Sequence, residues 1–165
     1  MRPSRLLMPC ALASALLLAA CYSSSEPLFE VSEGRLPLAE GTYRGASGDT
    51  IELVKFDGDH YHATTSDGTN DLILVPLAER GAYIAEAVGD DGATYSIVRV
   101  GPGGFRLMTL DCSKAPERDA AAGLADTIDS DECAFGNAGR LTAAITRLLQ
   151  RKLPDRWESY TPVAE

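Results

Sequence analysis

The sequence predicts a mainly β domain with one C-terminal helix (α+β), its strands running as an antiparallel meander that forms a curved sheet or small barrel. Three observations carry this. Turn signals recur at short, regular intervals between about residues 42 and 110: Gly48-Asp49, Asp57-Gly58, Asp67-Gly68, Arg80-Gly81, Asp91-Gly92 and Gly101-Pro102-Gly103-Gly104. Asp-Gly between apolar runs is a strong hairpin signal, because the tightest hairpin turns need positive φ at their centre. The runs between the stops are rich in β-branched and aromatic residues, and several alternate, as Ile51 and Leu53 do against Glu52. After Asn137 the apolar period changes from two to that of a helix.

Taken in order, Met1–Arg5 is short and basic, and Leu6–Ala20 is apolar apart from Ser14. That is the pattern of a secretory signal over 1–20, too short to span a bilayer, which needs about 20 apolar residues. The run ends Leu18-Ala19-Ala20-Cys21, which resembles the lipobox of bacterial lipoproteins. The resemblance implies cleavage before Cys21 and acyl chains on that residue, so that the mature protein stays on a membrane through its lipid. Tyr22, not Asp, follows the cysteine. By similarity to enterobacterial lipoproteins, this implies sorting to the outer membrane of a Gram-negative cell envelope. The Ser-rich stretch up to Pro27 reads as a flexible tether, so 21–27 is expected to be lipidated Cys plus tether.

Residues 28–165 then form a single β-rich domain, about the size one core supports. The expected strands are Thr50–Phe56, His60–Thr65, Asp71–Leu77, Ala82–Val88, Thr94–Val100 and Phe105–Leu110. Thr42–Arg44 is a further candidate and Leu28–Val31 a weaker one. Asp71–Leu77 is the most continuously apolar of them and is expected to be the most buried. Residues 113–132 read as a polar loop with a helical turn or two around Glu117–Leu124. Asn137 is a candidate cap for a helix over about 138–153, stopped by Pro154. Leu141, Ala144, Ile145, Leu148 and Leu149 fall on one face, to be packed against the sheet or to plug its end. The segment around Trp157, Tyr160 and Val163 is expected to return as an edge strand. Late helices after a run of hairpins also occur in lipocalin-like barrels, a likeness of architecture alone.

Of four cysteines, Cys10 leaves with the leader and Cys21 takes lipid. Cys112 and Cys133 are left in an oxidising compartment, where they are expected to form a disulfide. The bridge would tie the end of the last meander strand to the entry of the helix.

The formal charge of −9 becomes −11 once Arg2 and Arg5 are removed. A field of that sign repels phosphate backbones, so no nucleic-acid partner is expected. No Gly-x-Ser-x-Gly elbow, Walker loop or dinucleotide fingerprint occurs. Carboxylate pairs such as Asp90-Asp91, or Asp129 to Glu132, are expected in so acidic a chain without catalysis. His60 and His62, two apart on a strand, share a face and are the candidate metal ligands, although the sequence places no third ligand. Arg140, Arg147 and Arg151 share a helix flank, either solvated or a docking face for an acidic partner or anionic head groups.

The chain thus resembles the small envelope lipoproteins of Gram-negative bacteria. The leading expectation is a non-enzymatic, lipid-anchored binding or interaction module with an envelope protein partner, no catalytic residue and no cofactor. The alternatives are a lipocalin-like carrier of a small apolar ligand, and a metal-dependent enzyme using His60 and His62.

Overall fold

The computed structural model describes residues 22–164. The predicted leader over 1–20 and the predicted lipidation position, Cys21, lie outside the described residues. The strands are β1 (Tyr22–Ser24), β2 (Gly41–Gly45), β3 (Thr50–Phe56), β4 (His60–Thr65), β5 (Gly68–Pro76), β6 (Ala82–Gly89), β7 (Gly92–Gly101), β8 (Gly104–Thr109), β9 (Thr127–Ile128), β10 (Cys133–Ala134) and β11 (Glu158–Pro162). The helices are α1 (Ala115–Ala121) and α2 (Ala138–Leu149).

Strands β2 to β8 pair antiparallel in sequence order, and β11 joins β8 back to β2. The result is a closed eight-stranded barrel. Closure removes sheet edges, and eight strands leave an interior just wide enough for side chains. Alternation decides what fills it. Leu53, Tyr61, Leu74, Val98, Phe105 and Tyr160 point inward and are buried together. The Phe105 and Tyr160 rings stack there with centroids 5.0 Å apart. One end is plugged by Leu38: the Tyr61 hydroxyl donates to its carbonyl and accepts from its N–H, both at 2.9 Å. Burial pushes the Tyr61 phenol up to about 12, so it stays a neutral hydroxyl that can do both.

The outward residues of β6, β7 and β8 form a second core. Ile84, Tyr95, Ile97 and Met108 are covered by Leu141, Ala144, Ile145 and Leu148 of α2. Each fully buried aliphatic of that stripe contributes roughly 1.5–3 kcal/mol. The Asn137 side chain accepts from the Arg140 N–H at 3.0 Å, capping the helix as the sequence predicts. The helix lies on the barrel wall; the end-plugging role expected as its alternative falls to Leu38.

Several expectations need correction. The predicted tether is structured from its first described residue. Tyr22 and Ser23 lie beside β10, and Ser23 and Ser24 pair with Thr94 and Ala93 of β7. Tyr22 is fully buried, packs on the Phe135 ring 5.0 Å away, and donates its hydroxyl to the Glu117 carbonyl at 2.6 Å. The serines suggested flexibility, but Ser24 turns inward to Tyr95, with 2.6 Å between their hydroxyls. Gly92 makes this docking possible, since any Cβ there would collide with the Ser24 carbonyl, and its φ of 124° suits glycine.

β6 and β7, not Asp71–Leu77, are the most buried strands, because they alone are covered along most of their length on both faces. Leu28–Val31 forms no strand; a 3-10 turn occupies Val31–Glu33. Helix α2 ends at Leu149 and not near 153. Pro154 disfavours helical geometry at Leu153, and Lys152 already adopts a φ of 50°. The terminal segment is no edge strand: β11 is the stave that closes the barrel.

Candidate functional site

Topology gathers what the sequence scatters. An open groove of about 640 Å³ lies at the barrel end opposite Leu38. Its walls are Ser23–Ser25, the β4–β5 turn, the β6–β7 turn and the loop that carries the disulfide. Asp67, Asp90, Asp91, Asp126 and Glu132 line it, all exposed, and no lysine, arginine or histidine does. Two of the five have partners in the chain: Asp126 pairs with Arg140 at 3.0 Å, and Glu132 accepts from the Ser23 hydroxyl. Asp67, Asp90 and Asp91 make no ion pair among the described residues. Together these carboxylates create a local negative potential that attracts cations, steeply weakened by salt. Sequence reasoning noted the Asp90-Asp91 pair but could not see that Asp67 and Asp126 join it.

The disulfide holds one wall of this groove. Cys112 and Cys133 are bonded, with Cα atoms 5.8 Å apart, and link the segment just after β8 to β10. Both are fully buried against the second core.

His60 and His62 share the outer face of β4, as predicted, with ring centroids 5.9 Å apart. Their settings differ from each other. His60 is only 8% exposed, and its Nδ1 has no hydrogen-bond partner. His62 Nδ1 sits 2.7 Å from Asp71 on the adjacent strand, and Phe56 packs on its ring at 4.0 Å. Asp71 is therefore engaged by His62. Among the described residues no three His, Cys, Asp or Glu side chains form a metal-ligating group.

The three helix arginines turn to their own chain. Besides Arg140 with Asp126, Arg151 pairs with Asp119 at 3.3 Å, and Arg147 donates to the Ala122 carbonyl at 3.2 Å. They clip α2 to α1 and to the loop beyond it. All three remain exposed, as the stripe predicts, but their nearest acidic partners are internal.

The barrel interior offers little room. Its cavity, between residues such as Leu53, Ala63, Leu74 and Phe105, holds about 50 Å³. Small-molecule sites usually enclose about 300–1,000 Å³.

Sequence reasoning missed one buried acid. Glu86 is fully buried on the outer face of β6. It accepts from the Leu28 N–H at 2.6 Å and from the Tyr95 hydroxyl at 2.9 Å. Burial raises its affinity for a proton, and those hydrogen bonds oppose the rise. The available signal was that Glu86 is the lone charge in Ala82–Val88. Sealed beneath the chain that follows β1, it clamps that segment.

No family model, curated protein or solved structure matches this chain.

Proposed function

We propose that the protein is a lipid-anchored component of the Gram-negative envelope, most consistent with the outer membrane. It works as a non-enzymatic binding module, and its acidic groove receives a cationic segment of an envelope protein. The single observation that carries the binding role is the contrast between the two spaces: an interior of about 50 Å³ and an open carboxylate-lined groove of about 640 Å³. The first disfavours a carrier of an apolar ligand inside the barrel. The engaged Asp71 beside His62 disfavours a metal-dependent enzyme. The lipobox Leu18-Ala19-Ala20-Cys21 supports the anchor.

Two experiments test the parts separately. Cys21→Ser is expected to abolish lipidation and release the protein from membranes; a variant that still fractionates with them overturns the anchor. For the groove, a photocrosslinker at Asp91 is compared in the native envelope with one at Glu52, on the open face of β3. A partner captured from position 91 alone, and lost with Asp67→Lys plus Asp90→Lys, is expected. Equal capture from both positions, or capture indifferent to the reversal, overturns the groove reading.

A further inference from the structure

A second concavity differs from the groove in every chemical respect. It lies between the outer face of β7 and β8 and the C-terminal end of α2, and encloses about 330 Å³. Its floor is apolar: Met108, Leu148, Leu149, Leu153 and Trp157. Its rim is basic, with Arg99, Arg106 and Lys152 and no carboxylate among the lining residues. Glu79, outside the lining, takes Arg99 at 2.9 Å. Arg99 Nε, however, is buried without a partner.

Arg106 and Lys152 make no ion pair or hydrogen bond to another side chain among the described residues. Both are exposed, so their charges face solvent at the edge of an apolar cleft. Arg99 and Arg106 lie 4.7 and 5.7 Å from the Trp157 ring centre, which fixes the aromatic floor beneath the cations.

The backbone supplies an independent observation. Lys152 has a φ of 50°, a left-handed conformation that glycine or asparagine adopts more easily just beyond a helix. A lysine kept there costs stability, and strain of this kind concentrates at functional positions. The turn it makes leads directly into Leu153 and Pro154, which line the cleft.

We propose that this pocket binds an anionic amphiphile, a molecule with one carboxylate or phosphate head and an apolar body. Arg106 and Lys152 take the head. The body lies along Trp157, Leu149 and Leu153. The volume fits the head and the first part of a chain, within the range of small-ligand sites. This site is separate from the acidic groove and does not rest on the lipid anchor or on the groove's partner.

Trp157 is the sole tryptophan of the chain, so its emission reports on this pocket directly. The exported Cys21→Ser protein, which keeps every described element, is titrated below micellar concentration with laurate and with dodecyl phosphate. Butyrate and dodecyltrimethylammonium serve as controls. Saturable changes with either anionic amphiphile, absent with both controls, are expected, and the tighter of the two identifies the head group. Arg106→Gln and Lys152→Gln should each weaken binding about tenfold or more, the loss for a charge-assisted contact. Lys152→Gly separates function from structure: it should raise Tm by relieving the left-handed lysine and still lose affinity. Equal response to dodecyltrimethylammonium, or unchanged affinity in the two glutamine variants, overturns the proposal. So does a Lys152→Gly protein that binds as tightly as the parent.

Discussion

Tyr22→Ala tests the least expected feature of the fold, a first described residue that belongs to the core. Tyr22 is fully buried, packs on Phe135 and donates a hydrogen bond to the Glu117 carbonyl. Truncating a buried aromatic costs about 3–5 kcal/mol, part of which is the cavity left behind. Tyr22→Phe keeps the ring and removes only the hydroxyl, leaving the buried carbonyl without that donor, at about 1 kcal/mol. The two variants therefore separate packing from hydrogen bonding. For a domain of this size each kcal/mol moves Tm by about 3 °C, so Tyr22→Ala should melt roughly 10–15 °C lower and Tyr22→Phe about 3 °C lower. Thermal and urea unfolding followed by Trp157 emission measure both. If Tyr22→Ala costs less than about 1 kcal/mol, β1 is not part of the fold. The Ser-rich stretch would then be the flexible tether that its composition suggests.

Leu148→Ala, in the buried α2 stripe, should cost about 2–5 kcal/mol in urea unfolding, whereas reversing Arg147 to Glu should cost under about 1 kcal/mol; comparable losses would mean that the helix face is misassigned. Cys112→Ser should lower stability by roughly 2–5 kcal/mol and widen proteolytic access to the 113–132 segment; two free thiols in the exported parent protein would refute the bridge. Burial raises the Glu86 carboxyl above its ordinary 4.5, so its contribution is fully present below that value and is lost as pH rises through the folded value. The parent should therefore lose stability relative to Glu86→Gln as pH climbs from about 4.5 towards neutrality, and parallel Tm–pH curves for the two proteins would sink this reading.

How much was legible in the sequence follows from the range of the forces involved. Hairpins are local: an Asp-Gly turn and two alternating runs carry their own pairing, so β3 to β8 could be read at nearly their observed limits. The helix face was equally legible, because the stripe from Leu141 to Leu149 needs no partner to define it. Barrel closure was not legible. It depends on β11 meeting β2 across more than a hundred residues, and nothing in Glu158–Pro162 names its neighbour. Burial of β6 and β7 was underestimated for the same reason, since the layer that covers them comes from both termini. Composition misled at Tyr22–Ser24. Serine is read as solvated, yet here Ser24 makes a buried hydrogen bond that only the folded surroundings supply. The site suffered most. Asp67, Asp90 and Asp126 are separated by tens of residues and become neighbours only because turns at one barrel end converge.

That convergence has a geometric consequence for the proposed anchor. A six-residue tether over 22–27 could extend the body roughly 20 Å from the acyl chains, at about 3.5 Å per residue. With β1 docked, Tyr22 is already fixed in the second core against the outside of the barrel, and a lipid on the preceding cysteine leaves a reach of about one Cα–Cα step, roughly 4 Å. Ser23–Ser25, on the same short segment, form a wall of the acidic groove. Under the lipid-anchor proposal the groove is therefore held near the bilayer surface, and a partner must bring its cationic segment there. Lengthening the connection between Cys21 and Tyr22 with a Gly-Ser insert tests this directly. Such an insert leaves the lipobox and β1 intact, yet it frees the body to move by about 20 Å for a six-residue insert. Crosslinks from Asp91 to a membrane-borne partner should fall as the insert grows, while the stability of the barrel stays constant. Crosslinking that is indifferent to insert length would mean that the partner is soluble in the periplasm and that close apposition of groove and membrane has no part in binding.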